Sequence, residues 1–384
     1  MVIRGLTPDD LPQVTELLAT REGIGVENAA KRAEILAYIA FKNPYAAEGE
    51  ERYYVVEEDG KIVALHGRMP VLFSCGGTHV RGYYVHDLSV HRGSLKRGQG
   101  LALTLALARA VEERTDSFFC LLGMTPLNQM MQRRRRYHEM FADSYVKVIR
   151  PEEVLSIFIR SRFLAGLLGI PLRPLVWIVD WCLQWRFRRF APLTQVSTFD
   201  CRFDRLFERI AGKFPACSVK NSIYLQWKYG NAPFNKDTAF ARFTNDELQG
   251  FVVVGTVKAK GVRTGVIKEI LADPDDEETI ALLCLSAVRF LRKQNVSAIL
   301  CLLSDERFGR IARKFLFVRR VGHEPVFVGN LEKAGVHKDV LADIRNWHMT
   351  FGDSDLFMFG RDRSSVTGSD VRRGEGQDRV TTAL

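Results

Sequence analysis

The segment VHDLSVHRGSLKRGQGLALTLALARAV (85–111) holds the residue types and spacing best suited to chemistry. An alternating strand runs into a loop with Gly93, Gly98 and Gly100, and the loop opens directly into an apolar helix. Glycines without Cβ let successive backbone N–H groups turn toward one point. The first turn of the helix adds N–H groups without an intrahelical acceptor and a partial positive charge. Arg97-Gly98-Gln99-Gly100-Leu101-Ala102 therefore reads as a cradle for a pyrophosphate. Lys96 and Arg97 would add charge-assisted hydrogen bonds to the same anion. A P-loop would require Gly-Lys-Ser/Thr, which is absent. A dinucleotide loop belongs in a first βα unit, whereas this loop follows several strands that read as antiparallel.

The elements that must position the loop are legible on both sides of it. Residues 2–6 read as a strand, and Thr7-Pro8-Asp9-Asp10 caps a helix with Leu11, Val14, Leu17 and Leu18 on one face. A second helix is expected over 27–41. Strands follow at 52–58, 61–73 and 79–90, the first two joined by the hairpin signal Asp59-Gly60. After the loop come a helix over 101–114, a strand over 117–124, a basic helix over 126–139 and a strand over 144–151. That order specifies a mixed α/β fold of the α+β type.

Residues 216–360 repeat the first section in outline. YIAFKNPY (38–45) is echoed by YLQWKYGNAPF (224–234), each followed by strands, here 239–245, 250–257 and 263–272. A helix over 279–294, a strand over 296–304 and another helix from Arg307 complete the copy. The pattern implies a tandem duplication. At the position of the glycine loop the second copy carries Asp273, Asp275, Asp276, Glu277 and Glu278. Acids at a helix start cap it and would repel a pyrophosphate, so a single anion site is expected, in the first copy.

DLSVHRGSLKRGQGLALTL resembles motif A of the GNAT (GCN5-related N-acetyltransferase) superfamily, Arg/Gln-x-x-Gly-x-Gly/Ala, at Arg97, Gly100 and Ala102. The loop between Val90 and Arg97 is about two residues longer than the family's common form. SFFCLLGMTPLNQMMQRRRRYHEMF (117–141) resembles motif B, with Phe141 matching, Met140 in place of Gly and Tyr137 one position late. The resemblance implies tandem GNAT-like domains, each a mixed, largely antiparallel sheet flanked by helices. It implies that the backbone at Leu88 and Val90 contacts pantetheine and that Arg97, Gly98, Gln99, Gly100, Leu101 and Ala102 hold the pyrophosphate. Asn128 would meet the pantetheine. The implied cofactor is acetyl-CoA or another acyl-CoA, and the implied reaction is direct attack of an amine on the acyl thioester. A strand N–H near Val90 would serve the oxyanion, His86 or Asp87 would be the base and Tyr137 the acid. Strict alternation puts His86 and Asp87 on opposite faces, so at most one would face the cleft. His86 has the better intrinsic pKa for a base.

Other stretches bound the reading. The net charge of +10 suits an anionic partner, yet the arginines form no single tract, so nucleic acid is not expected. Seven cysteines, an odd number without a CxxC pair, argue for reduced thiols, with Cys120, Cys182, Cys284 and Cys301 in apolar runs. The N-terminal residues hold no apolar run of signal-peptide length, and a cytoplasmic enzyme is expected. His348, Asp353 and Asp355 read as a polar turn with no metal site.

The expected organisation is a cofactor-binding domain at 1–150, an apolar and basic helical linker at 151–215, a degenerate copy at 216–360 and a disordered tail at 361–384. Within the linker, 163–190 is too interrupted to span a bilayer. Trp177, Trp181 and Trp185 share one helical face there, which suits packing between the domains or peripheral contact with the inner membrane face. The expected acceptor is a small-molecule or peptide amine. A Fem-like tandem transferase, a non-catalytic acyl-CoA-binding regulator and a membrane-surface scaffold are the competing readings.

Overall fold

The computed structural model describes residues 1–20, 26–122, 126–159, 161–186, 193–233, 236–259 and 261–354. β1 (Val2–Gly5) leads through the capped Pro8 turn into α1 (Leu11–Ala19), which buries Val14, Leu17 and Leu18. α2 (Val26–Lys42) follows. β2 (Tyr53–Glu58), β3 (Lys61–Cys75) and β4 (Thr78–Val90) then pair antiparallel in succession, with β1 on the outer edge of β2. Alternation along β2 divides the two faces. Tyr53 and Val55 join α1 and α2 in one core, while Tyr54 and Val56 pack with Leu103, Leu107 and Val111 of the helix on the other side.

After β4 come a short helix, α3 (Arg92–Lys96), and the long α4 (Gly100–Arg114). The segment between β4 and the glycine turn folds as this short helix, capped by His91, whose Nδ1 accepts from Gly93 N–H at 3.0 Å. β5 (Phe119–Leu122) runs parallel to β4. α5 (Pro126–Arg134) is shorter than expected, because Arg136 takes φ 60° and ends the helical run. β6 (His138–Val148) begins where the sequence pattern still reads as helix. Its strand state is imposed by partners on both edges.

α6 (Pro151–Leu155), α7 (Arg162–Gly169) and α8 (Arg173–Arg186) form the intervening helical segment. The second half then runs β7 (Thr194–Val196), α9 (Cys201–Ile210), β8 (Ala216–Ser218), α10 (Ser222–Leu225), β9 (Thr238–Thr244), β10 (Glu247–Ala259) and β11 (Val262–Ala272). α11 (Glu277–Lys293), β12 (Ala298–Leu302), α12 (Glu306–Lys314), β13 (Val318–Gly329) and β14 (Trp347–His348) complete it. The order and pairing sense of β9-β10-β11-α11-β12 match those of β2-β3-β4-α4-β5: antiparallel neighbours, a helix, then a parallel strand.

The halves are joined by exchanged strands. β13 lies between β5 and β6, and β6 pairs on its other edge with β12. The result is one mixed sheet in the order β1-β2-β3-β4-β5-β13-β6-β12-β11-β10-β9-β7. β13 was not expected from the sequence, since Pro325 lies within it and proline is disfavoured inside a central strand. A register shift between Arg320 and Glu324 accommodates it. The two echoing segments also touch: Tyr38 stacks on Trp227 with centroids 5.8 Å apart and donates from its hydroxyl to the Trp227 carbonyl at 2.8 Å.

The expected polar turn lies in the interior, for His348, Asp353 and Ser354 are buried. Most of their polar groups are satisfied from within, while His348 Nδ1 has no hydrogen-bond partner among the described residues. Asp353 accepts from Lys220 Nζ (2.9 Å), Tyr84 Oη (3.3 Å) and Ser218 Oγ, and His348 Nε2 donates to the Ile270 carbonyl (3.0 Å). Asp355 lies outside the described residues. Cys182 is exposed on α8, whereas Cys120, Cys284 and Cys301 are buried as expected. The tryptophan stripe of α8 is not packed between domains: Trp177, Trp181 and Trp185 are 58%, 54% and 59% exposed. Among the described residues, no helix is long and apolar enough to cross a membrane.

Candidate functional site

The parallel pairing of β4 with β5 covers only Tyr83–Phe119 and Tyr84–Cys120. Beyond Tyr84 the strands part: β4 continues to Val90 against β3, while Leu121 and Leu122 pair only with β13. A gap therefore opens along one edge of Val85–Val90. His91 N–H donates to the Val63 carbonyl at 2.7 Å, which makes Val90–Ala64 a non-hydrogen-bonded pair of the antiparallel ladder. The N–H and C=O of Val90 consequently point to the opposite edge, into the gap. The side chains of Leu88 and Val90 turn to the α4 face.

α3 joins the end of β4 to the glycine turn. Gly98 takes φ +77°, and a Cβ there would meet nothing within 4 Å, so the turn is open to solvent on that side. The N–H groups of Arg97, Gly98 and Gln99 are consumed by carbonyls of Gly93, Leu95 and Ser94. The cradle is thus narrower than the sequence suggested. The first bond of α4 is Leu103 N–H to the Gln99 carbonyl, which leaves Gly100, Leu101 and Ala102 as its first-turn amides. Leu101 and Ala102 are exposed, whereas Gly100 is buried against the Leu95 side chain. Arg97 is folded back, its Nε donating to Gln99 Oε1 (2.9 Å) and a terminal nitrogen to Ser94 Oγ (3.1 Å). A diphosphate fits this arrangement: backbone donors, a helix dipole and one guanidinium within reach.

His86 and Asp87 do not alternate. β3 and β4 slip register between Leu65 and Gly67, and Asp87 takes the left-handed φ of 55°. This bulge turns both side chains to the α2 face, where they form one cluster. His86 Nδ1 lies 3.3 Å from Asp87 Oδ2, and Tyr53 Oη lies 3.3 Å from the same nitrogen and donates to Asp87 at 3.2 Å. Arg32 of α2 donates to the other oxygen of Asp87 at 2.6 Å. Burial works to raise the pKa of Asp87, but the charge of Arg32 and the bond from His86 outweigh it and hold the carboxyl well below the usual range. Asp87 is therefore ionised, a poor base, and suited to orienting the His86 ring. A non-glycine residue held at positive φ in a buried cluster is strain of the kind found at working sites.

Behind the cluster, His66 Nδ1–H donates to the His86 carbonyl at 2.9 Å. Burial lowers its pKa to about 4. Below pH 6.5 the unfolded chain binds this proton more readily than the folded one, so stability falls as pH drops toward 4. The expected loss from this group between pH 7 and pH 5 is about 2 kcal/mol. His66→Gln, which keeps a donor for the carbonyl, should flatten that part of a stability-versus-pH curve measured by denaturant unfolding.

Tyr137 lies apart from this cluster. Its ring packs edge-on against Phe119 (5.3 Å) under the guanidinium of Arg135, on the α4 face. Burial raises its pKa, and its hydroxyl interacts with Glu112 and Arg135. Phe119 is at the closed end of the gap, and Glu112 is twelve residues along α4 from Gly100, about 18 Å of helix. A working general acid is worth roughly 10²–10⁴-fold. Tyr137→Phe is expected to leave the turnover of acyl-CoA within about threefold of wild type. Asn128 lies on α5, after β5, partly buried. The charged groove along the far end of α4, lined by Arg109, Glu112, Arg135 and Lys333, is a different feature, in which Arg109 pairs with Glu113, Arg135 with Glu112, and Lys333 donates to the Thr115 carbonyl. Tyr53, Arg32 and His66 went unnoticed in the sequence, where each is one polar residue in an ordinary strand or helix.

No family model matches the sequence, and no curated protein matches it. Solved structures do. A GCN5-related N-acetyltransferase from Anabaena variabilis ATCC 29413 aligns over 89% of this chain and 75% of its own, with TM-score 0.52 and 12% identity. Saccharomyces cerevisiae N-myristoyltransferase with bound myristoyl-CoA aligns over 86% and 82%, with TM-score 0.52 and 11% identity. At this identity the likeness concerns the fold, and the fold is that of the GNAT superfamily.

Proposed function

We propose that this chain is an acyl-CoA-dependent N-acyltransferase, using acetyl-CoA in the simplest case and an amine of a small molecule or peptide as acceptor. One observation carries the reading: β4 leaves β5 after Tyr84 and leads through α3 to a turn whose helix start leaves backbone donors without intrahelical partners. The bound cofactor would supply an activated acyl thioester. The amides of Gly100, Leu101 and Ala102 hold its diphosphate, with Arg97 beside them. The backbone of Leu88 and Val90 lines the gap for its arm, with Asn128 across from them. The N–H of Val90, aimed into that gap, donates to the oxygen that becomes negative during attack. His86 takes the proton of the attacking amine, and Asp87 fixes its ring.

The same reading extends to the chain's organisation: residues 1–150 carry the cofactor site, 151–215 link, 216–360 are a degenerate copy, and a tail follows from 361. What supports it is the α11 start. Asp276 caps that helix by accepting from Thr279 N–H at 2.9 Å, and Glu277 and Glu278 engage Arg310 and Arg242, leaving acids where a phosphate would sit. A cytoplasmic setting fits the cysteine usage. Release of free thiol from acetyl-CoA and longer acyl-CoAs, followed across a panel of amines, tests the reading. Amine-dependent release is expected; coenzyme A binding without release under any amine would contradict it.

A further inference from the structure

The α7–α8 hairpin carries an exposed apolar surface. Phe163 and Leu167 of α7 are 78% and 61% exposed, and the tryptophans of α8 stand out beside them. Trp177, Trp181 and Trp185 recur every fourth residue, so each is about 40° further round the helix and the three form one stripe. The hairpin is nonetheless anchored to the protein. Arg173 bonds Glu152 of α6, Ala165 is buried, and a Cβ on Gly169 would lie 2.4 Å from the Glu152 backbone, so α7 and α6 approach closely. The geometry is therefore that of a fixed platform with its apolar side outward.

We infer that this platform docks on an anionic lipid surface. Tryptophan suits the bilayer interface, where its ring is buried and its N–H stays wet. α8, at 14 residues, is about 21 Å long, short of the roughly 30 Å hydrocarbon core, so it lies along the interface. The sequence supplies matching charge: residues 160–189 carry Arg160, Arg162, Arg186, Arg188 and Arg189, besides Arg173 paired with Glu152, against one acid, Asp180. An apolar stripe in a segment of net positive charge is the complement of anionic phospholipid headgroups over an acyl layer. This inference does not rest on the acyltransferase reading, and its test contains no coenzyme A.

The experiment is flotation of the full chain with vesicles of phosphatidylcholine alone or with about 30% phosphatidylserine. Wild type should float with the mixed vesicles, at least about tenfold more than with phosphatidylcholine alone, and detach as salt rises from about 0.1 M to about 1 M. Trp177→Ser, Trp181→Ser and Trp185→Ser combined should abolish flotation with an unchanged melting midpoint, since all three side chains are exposed. Failure of wild type to float with either vesicle would overturn the inference. So would a triple variant that floats like wild type, or one that turns a stable wild-type dimer into monomer, which would assign the face to a second copy of the chain.

Discussion

Gly98→Asp should weaken coenzyme A binding by roughly a hundredfold while leaving the fold intact. The residue takes φ +77°, a conformation that Asp and Asn tolerate better than other side chains, and the added Cβ meets no neighbour. The new carboxylate would stand at the turn that precedes the Gly100–Ala102 amides. A unit charge about 5 Å from a phosphate, at an effective dielectric of 20–40, costs about 2–3 kcal/mol. That corresponds to roughly a hundredfold in affinity. Gly98→Asn has nearly the same shape without the charge and should stay within a few-fold of wild type. Titration calorimetry on the two variants separates the electrostatic claim from a steric one. Equal affinities for Asp and Asn would show that no anion sits at this turn.

Lys220→Met should destabilise the protein by about 3–5 kcal/mol. Lys220 is fully buried and holds two carboxylates, Glu269 at 2.7 Å and Asp353 at 2.9 Å. Burial alone would lower its pKa, but those two charges more than offset it and keep the ammonium protonated. Lys228 lies 3.6 Å from Glu269, which also accepts from Thr350 Oγ1 (2.8 Å) and Tyr229 Oη (3.0 Å). Removing Lys220 leaves two negative charges in the interior with Lys228 as the remaining cation of the cluster, the costliest way to break such a network. The network ties Tyr84 of the first half to β8, β11 and the 350–354 segment of the second. Denaturant unfolding should show the loss, and adding Glu269→Gln should recover part of it. An unchanged midpoint for Lys220→Met would mean that these pairs contribute no net stability.

Much of this fold can be read from the residues, and the exceptions share a cause. Helices and strands with strong periodicity, such as α4, α11 and the β2–β3 hairpin, match their patterns closely because local preference and burial agree there. β6 and β13 do not. One reads as a helix end with four arginines, the other contains Pro325, and each becomes a strand because the opposite half of the molecule supplies its partner edge. Pairing across some 180 residues leaves no local signature.

The candidate site shows the same division. The glycine turn was legible because its chemistry resides in consecutive residues. The meeting of His86 with Asp87 was not, since alternation predicts opposite faces and only the bulge at Asp87 brings them together. Arg32 and Tyr53 reach that pair from other elements, which spacing along β4 cannot reveal. The stripe of α8 suits packing between domains and membrane contact alike by its spacing. Helical spacing identifies a stripe, whereas what covers it depends on tertiary neighbours.

The first-turn amides of α4 are proposed to grip a diphosphate, and a structure of the protein soaked with acetyl-CoA tests that most directly. It should show phosphate oxygens about 3 Å from the N–H groups of Gly100, Leu101 and Ala102. The arm should then lie between β4 and β5. A diphosphate bound elsewhere on the chain, or an acetyl-CoA arm that avoids the opening beyond Tyr84, would contradict it.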